Sequence, residues 1–189
     1  MGMMFLNIHT ACYLQFKIGS CAICRDASAS RENCITKGWN SMGANIVKLH
    51  RVLCAPPERI YRAFLDPDAM AKWLPPNGFT GKVHHADAKV GGTYSMSFTN
   101  FSTGHSHSFG GEYLELVPNE RICHTDKFDD PNMPGEMRTT ITLKKVFCGT
   151  ELNVVQENIP EAIPPEACYL GWQESLSLLA QLVEAEIPD

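Results

Sequence analysis

The feature that most constrains this 189-residue chain is an amphipathic segment from Pro165 to Glu186. Apolar and aromatic side chains recur in it at i, i+3, i+7, i+10 and i+14, which is the spacing of one helix face. These side chains are Tyr169, Trp172, Leu176, Leu179 and Val183. The segment follows a long run of strand-like segments, so we expect its helix to cover an antiparallel sheet. A strongly curved sheet cannot meet a helix everywhere, and the gap between them would be a pocket.

Composition places the chain among ordinary globular proteins. Hydrophobic residues make up 44% and charged residues 20%, with enough length for one domain with a sizeable core. The net charge of −5 gives no electrostatic footprint for nucleic acid or for an anionic membrane. No apolar run approaches the roughly 20 residues of a membrane span.

The first 45 residues differ from the rest of the chain. Four basic residues stand there against two acidic ones, a local balance of +2, and four of the eight cysteines lie there too. Met42 stands immediately before the first strand-like segment, which suggests that residues 1–41 are an upstream extension. We therefore predict a poorly ordered extension over residues 1–45 and one domain over residues 46–187.

The cysteines of the extension allow two interpretations. Cys21 and Cys24 form a CxxC pair flanked by Cys12 and Cys34, and four thiolates can close a tetrahedral zinc site. The outer two cysteines form no second CxxC, which favours an extension without metal. A secretory signal is disfavoured because no Lys or Arg precedes the apolar start, which polar residues interrupt. The other cysteines are scattered singly, which predicts buried thiols in a reducing cytoplasm.

Strand and helix signals after Met42 define an α+β chain. Strict alternation marks Thr93–Asn100 and Glu136–Phe147, and Pro57–Leu65 and Asp66–Trp73 have the pattern of two short helices. The further strands are predicted at 46–55, 81–88, 106–117, 121–128 and 151–158. The result is a curved antiparallel sheet of about six to seven strands under a long C-terminal helix. Two short helices follow the first strand.

The order of elements and several phrases resemble the START-like superfamily (SRPBCC, helix-grip fold). The closest branch is similar to the activator of the heat-shock-protein-ninety ATPase. The phrases are Ala-Pro-Pro-Glu-Arg-Ile-Tyr-Arg-Ala-Phe (55–64), Ala-Lys-Trp-Leu-Pro-Pro (71–76), Val-Gly-Gly-Thr-Tyr (90–94), Gly-Glu-Tyr-Leu-Glu-Leu-Val-Pro-Asn-Glu-Arg-Ile (111–122), Thr-Glu-Leu (150–152) and Gly-Trp-Gln-Glu-Ser-Leu-Ser-Leu-Leu (171–179). They occur in order between residues 46 and 186, and residues 1–45 lie outside the match.

This resemblance implies a helix-grip fold with a deep cavity between sheet and C-terminal helix. Members of the superfamily include lipid and hormone carriers, polyketide cyclases and co-chaperone domains, and the branch has no single catalytic motif. The first hypothesis is therefore a single-domain binder of an apolar or amphipathic small molecule. The alternatives are a cyclase or hydrolase using the same pocket, and a co-chaperone-like module that stimulates a heat-shock chaperone ATPase. The short N-terminal extension cannot be the separate client-binding domain of two-domain co-chaperones.

Aromatic and sulfur-containing side chains supply the predicted ligand contacts. They adapt to irregular ligands, although they also fill ordinary cores. The predicted wall comprises Trp73, Met96, Phe98, Phe109, Met137, Ile141, Tyr169, Trp172 and Leu176. Gly171, inside the helix, indicates either a close approach of backbone or ligand or simple tolerance.

Histidines carry the remaining chemical hypotheses. The base of a cyclase or hydrolase would be His124 or a strand carboxylate, among them Glu112, Glu115 and Asp126. For His124 the alternative is a hydrogen-bonded core histidine. His105 and His107 could begin a zinc or copper site, but nothing nearby in sequence supplies a third ligand. We predict no metal and no cofactor. The oligomeric state stays open.

Overall fold

Seven antiparallel strands form one curled sheet in the computed structural model, which describes residues 45–187. The strands are β1 (Val47–Leu53), β2 (Phe79–Ala86), β3 (Thr93–Asn100), β4 (Ser106–Val117), β5 (Arg121–Phe128), β6 (Met137–Val146) and β7 (Gly149–Glu157). Their spatial order is β1-β7-β6-β5-β4-β3-β2, so β2 to β7 form a meander of neighbouring hairpins. β1 lies beside β7, and Val47 pairs with Gln156. The extension predicted over residues 1–45 and its CxxC pair lie outside the described residues, apart from Asn45.

Within residues 45–187, three helices accompany the sheet and agree with the predicted order. They are α1 (Pro57–Leu65), α2 (Pro67–Trp73) and α3 (Pro165–Val183). Asp66 caps α2, because its side chain accepts hydrogen bonds from the backbone nitrogens of Asp68 and Ala69 at 3.0 and 3.1 Å. The predicted helix-grip fold is confirmed.

The long helix is shorter than its apolar pattern predicts. It ends at Val183, whereas the sequence pattern carried it to Glu186. Glu184 is the C-cap, and its backbone nitrogen donates to Ala180 O at 2.9 Å. Pro188 disfavours the α conformation at Ile187, so the helix has no continuation through that residue.

Polar contacts tie α3 to the rest of the domain at its C-terminal end and at its middle. Arg59 Nη1 on α1 donates to Val183 O at 2.8 Å, which satisfies one of the last helix carbonyls. At the middle of the helix, Ser175 Oγ donates to Leu74 O, just after α2, at 2.6 Å. These contacts fix the position of the helix along the sheet, and with it the helix face turned towards the sheet.

Close approaches to both neighbouring strands explain the adjacent glycines of β4. A Cβ atom on Gly110 would lie 2.4 Å from Tyr94 O on β3. A Cβ atom on Gly111 would lie 1.7 Å from Thr125 O, so only glycine fits there. The pairing with β5 shifts by one residue between Tyr113 and Glu115, which leaves Leu114 as the extra residue of a bulge. This irregularity lies just beyond the Gly110–Gly111 pair.

The described cysteines are less buried than predicted. Cys123 is buried, but Cys54 and Cys148 are exposed, so the prediction of buried thiols is wrong for these two. Cys54 follows β1, and Cys148 lies in the tight turn between β6 and β7, where side chains point to solvent. No helix within residues 45–187 is long and apolar enough to cross a membrane.

Candidate ligand-binding cavity

A cavity of about 200 Å³ lies between the inner face of the sheet and α3. For scale, an apolar cavity of about 150 Å³ can hold benzene. The sheet contributes large apolar side chains, namely Met96, Phe98, Phe109, Phe128 and Met137. Phe64, Met70, Leu74 and Pro76, from α1, α2 and the residues after α2, form another part of the wall. The cavity therefore has room for a molecule somewhat larger than a single aromatic ring.

Five of the nine predicted contact residues meet at this cavity. They are Met96, Phe98, Phe109, Met137 and Trp172. Strict alternation explains the sheet members, because every second residue of β3 and of β6 faces inward. Their assignment as ligand contacts stays a proposal.

The other four predicted contacts lie away from the cavity wall. Trp73 is fully buried, its Nε1 donates to Ala63 O at 2.8 Å, and its ring packs edge-on against Phe64. Ile141 and Leu176 are buried core residues, and Tyr169 is half-buried against the same core. Trp73 thus supports the wall from behind, through Phe64.

The face of α3 that borders the cavity is offset from the predicted apolar stripe. It consists of Cys168, Gly171, Trp172 and Ser175, at i, i+3, i+4 and i+7. Leu176, Leu179 and Val183 pack into the core instead. A Cβ atom added to Gly171 would meet nothing within 4 Å, so the missing side chain leaves open space in the wall.

A buried carboxylate lies within this mainly apolar wall. Asp126 is 7% exposed, and its Oδ1 accepts a hydrogen bond from Tyr94 Oη. Its Oδ2 accepts one from Thr139 Oγ1 at 2.8 Å and lies 3.4 Å from His124 Nδ1. Two hydroxyl donors therefore compensate the burial of this acid.

A chain of hydrogen bonds joins this cluster to the helix. Gln156 Nε2 on β7 donates to Thr139 Oγ1 at 3.5 Å, and Gln156 Oε1 accepts from Trp172 Nε1 at 3.0 Å. The polar tip of the indole is thereby satisfied while its ring borders the cavity. Trp172 therefore has a defined orientation in the wall.

Two tyrosines beside Asp126 have opposite hydrogen-bonding status. Tyr94 Oη is bonded to Asp126 and also lies 3.0 Å from Thr125 O and 3.1 Å from His124 Nδ1. Tyr113 is 1% exposed, and its hydroxyl has no partner among the described residues. Burial, and then the charge of Asp126, raise the pKa of Tyr113 to about 12, and the same two causes raise the pKa of Tyr94 well above its usual value.

The two histidines of the predicted HxH pair differ in surroundings. His107 borders the cavity, packs edge-on against Phe79 and Phe98, and burial lowers its pKa. His105 lies in the exposed turn before β4. Residues 45–187 contain no group of three potential metal-ligating side chains. His124 lines the cavity, as a residue that exchanges a proton with a bound molecule must.

Comparison with known proteins agrees with this architecture. The model of one family, described as activator of Hsp90 ATPase homolog 1-like protein, matches residues 54–184. The chain belongs to this family. The Hsp90-activator-like family lies within the START-like superfamily, which confirms the resemblance found in the sequence. No curated protein matches the chain.

Solved structures place the chain beside other members of this fold. A Chromobacterium violaceum protein solved by X-ray crystallography is 64% identical over 75% of this chain and 99% of its own, with a TM-score of 0.75. A crystal structure from Rhodobacter sphaeroides has 22% identity, coverage of 74% and 92%, and a TM-score of 0.65. A solution structure from Staphylococcus epidermidis has 18% identity, coverage of 79% and 96%, and a TM-score of 0.66. The last two show likeness of fold alone.

Sequence reasoning did not single out most polar residues of this Hsp90-activator-like cavity. Asp126 was one of several strand carboxylates considered as an alternative base, and Tyr113 and Gln156 were not among the candidate site residues. A usable signal was Gly111, which pairs with Tyr94 in the sheet and presents no side chain. Tyr94 on β3 can therefore reach across β4 to Thr125 and Asp126 on β5.

Proposed function

We propose that this protein binds a small, largely apolar molecule in the cavity between the sheet and α3. The observation that carries the proposal is the combination of open space of about 200 Å³ with a wall of Met, Phe and Trp side chains. Apolar concave sites with a few placed polar groups are the usual form of a small-molecule site. The buried cluster around Asp126 supplies those polar groups.

Native mass spectrometry and thermal-shift assays against short-chain lipids and aromatic polyketides test this proposal. Gly171→Leu puts a branched side chain into open space of the wall and should abolish or weaken each interaction found. Gln181→Leu introduces the same side chain at an exposed position of α3 and serves as the matched control. Equal binding by both variants would show that the ligand does not bind in the cavity.

A reaction in the same cavity is the second candidate, and one contact favours it. His124 lines the cavity and has Asp126 Oδ2 3.4 Å from its Nδ1, an arrangement in which a carboxylate orients a histidine base. The candidate reactions are ester hydrolysis and the cyclisation of a polyketide chain. His124→Gln should abolish turnover, because glutamine cannot act as the base. Turnover that survives this substitution would end the assignment of His124 as the base.

We also propose a chaperone partner and a cytoplasmic location, each supported by a single observation. The family description supports the partner, and the exposed thiols of Cys54 and Cys148 suit a reducing compartment. Pull-down against the heat-shock ATPase, with its turnover measured in parallel, tests the partner. Unchanged turnover at saturating concentration would exclude stimulation.

A further inference from the structure

The unpaired hydroxyl of Tyr113 is the feature of the cavity that calls for a ligand group. Tyr113 lines the cavity and is 1% exposed, and its Oη finds no partner within residues 45–187. Buried polar atoms are almost always hydrogen-bonded, so an orphaned donor in a ligand cavity indicates a position that the ligand completes. The ring of Tyr94 lies beside that of Tyr113, with 5.4 Å between the centroids, but the hydroxyl of Tyr94 already donates to Asp126.

The charge beside Tyr113 restricts which ligand group can occupy this position. Asp126 accepts from two hydroxyl donors, Tyr94 Oη and Thr139 Oγ1, as an ionised carboxylate does. The same carboxylate contributes to the raised pKa of Tyr113, so the hydroxyl keeps its proton and stays a donor at neutral pH. A second anion near Tyr113 would meet the repulsion of Asp126 in a site shielded from water.

We propose that the cavity selects neutral ligands bearing a hydrogen-bond acceptor, such as a ketone or carboxamide carbonyl, and rejects carboxylates, with Tyr113 Oη as the donor. The inference rests on the proposed binding function and narrows its ligand class. It separates acyl ketones, amides and neutral polyketides from free fatty acids. The two groups have similar apolar bodies, so the polar group decides between them.

Four naphthalene probes of nearly equal shape test the proposal on the full chain. β-Acetylnaphthalene offers a carbonyl, and β-isopropenylnaphthalene replaces its oxygen with a methylene group. β-Naphthamide is neutral, and β-naphthoate differs from it mainly in charge. Dissociation constants are measured for the wild type and for Tyr113→Phe, which removes only the hydroxyl.

The wild type should bind the ketone about five- to tenfold more tightly than the hydrocarbon. This is the ratio of dissociation constants that one net hydrogen bond produces. It should bind the amide more than tenfold more tightly than the carboxylate. Tyr113→Phe should bring the ketone and the hydrocarbon to equal affinity and should leave the preference for amide over carboxylate, because Asp126 remains.

The possible outcomes separate this inference from the function on which it rests. Equal binding of ketone and hydrocarbon by the wild type overturns the role of Tyr113 and leaves the cavity function intact. Tighter binding of naphthoate than of naphthamide overturns the exclusion of anions. Failure of all four probes to bind overturns both the inference and a cavity for two-ring ligands.

Discussion

Trp172 Nε1 on α3 donates a hydrogen bond of 3.0 Å to Gln156 Oε1 on β7, which ties the covering helix to the sheet beneath it. Gln156 is 7% exposed, so its carbonyl oxygen has little access to water as a substitute partner. The bond therefore has two effects. It stabilises the fold, and it sets the orientation of an indole that forms part of the cavity wall.

The Trp172–Gln156 bond should appear as a coupling energy between the two positions. Trp172→Phe removes the donor and leaves a buried acceptor unpaired, at a cost of about 1 to 3 kcal/mol in the free energy of unfolding. Gln156→Met removes the acceptor in a side chain of similar shape. Urea unfolding of both single variants and the double variant should give a coupling of about 1 kcal/mol. Strict additivity would show that the bond contributes nothing.

The same substitution should have opposite consequences at the two tyrosines of the cavity. Tyr94→Phe removes a donor to a buried carboxylate and should destabilise the protein by about 2 kcal/mol. Tyr113→Phe removes an orphaned hydroxyl and should leave the unliganded protein equally or more stable. Urea midpoints of the two variants, measured without ligand, check this. A destabilised Tyr113→Phe variant would reveal a partner for its hydroxyl.

Alkaline pH should destabilise the wild type more than the Tyr113→Phe variant. The pKa of Tyr113 is about 12 in the folded state and 10.0 ordinarily, so the folded state holds this proton more tightly. The contribution of this proton to the free energy of unfolding is fully present below pH 10 and is lost as the pH rises through about 12. It corresponds to roughly 2 to 3 kcal/mol. Stability profiles over this range should diverge between the two proteins, whereas parallel profiles would contradict the raised pKa.

Gly171→Ala should strengthen the fold and weaken ligand binding together. Alanine is favoured over glycine inside a helix by about 1 kcal/mol, and the new methyl group meets nothing within 4 Å. The methyl group occupies part of the cavity, so β-acetylnaphthalene should bind less tightly. Urea unfolding and probe titration measure the two effects. Ser177→Ala, on the exposed side of α3, is the control and should not change probe affinity. A destabilised Gly171→Ala variant would show that no space is available for a side chain at position 171.

Local patterns predicted most of the fold because each pattern depends on its own segment. Alternation in β6 puts Met137, Thr139 and Ile141 on one face, which is buried, and Asp before Pro at positions 66 and 67 is the usual pattern of a helix cap. The apolar stripe of α3 correctly predicted a helix packed on the core. It could not predict which side of that helix borders the cavity, because the rotation depends on where α1 and α2 lie.

The polar cluster could not be predicted because its members come from separate strands. Tyr94, Asp126, Thr139 and Gln156 lie on β3, β5, β6 and β7, and they meet only because the sheet curls and β4 closes on β5 at Gly111. Trp172 was predicted at the cavity, but its partner was not. The order and curvature of the strands determine which of these side chains come into contact, and the local periodicity of the sequence contains neither.

The pairing of β1 with β7 sets the order in which the domain can assemble. The strands from β2 to β7 pair with their neighbours in sequence and can form hairpins early. β1 can pair only after β7 has formed, because Val47 lies opposite Gln156. α3 follows β7, so during synthesis the concave apolar surface exists before its cover does. A nascent or truncated chain that ends before residue 165 would therefore present that surface to other proteins, and we expect it to aggregate or to recruit chaperones.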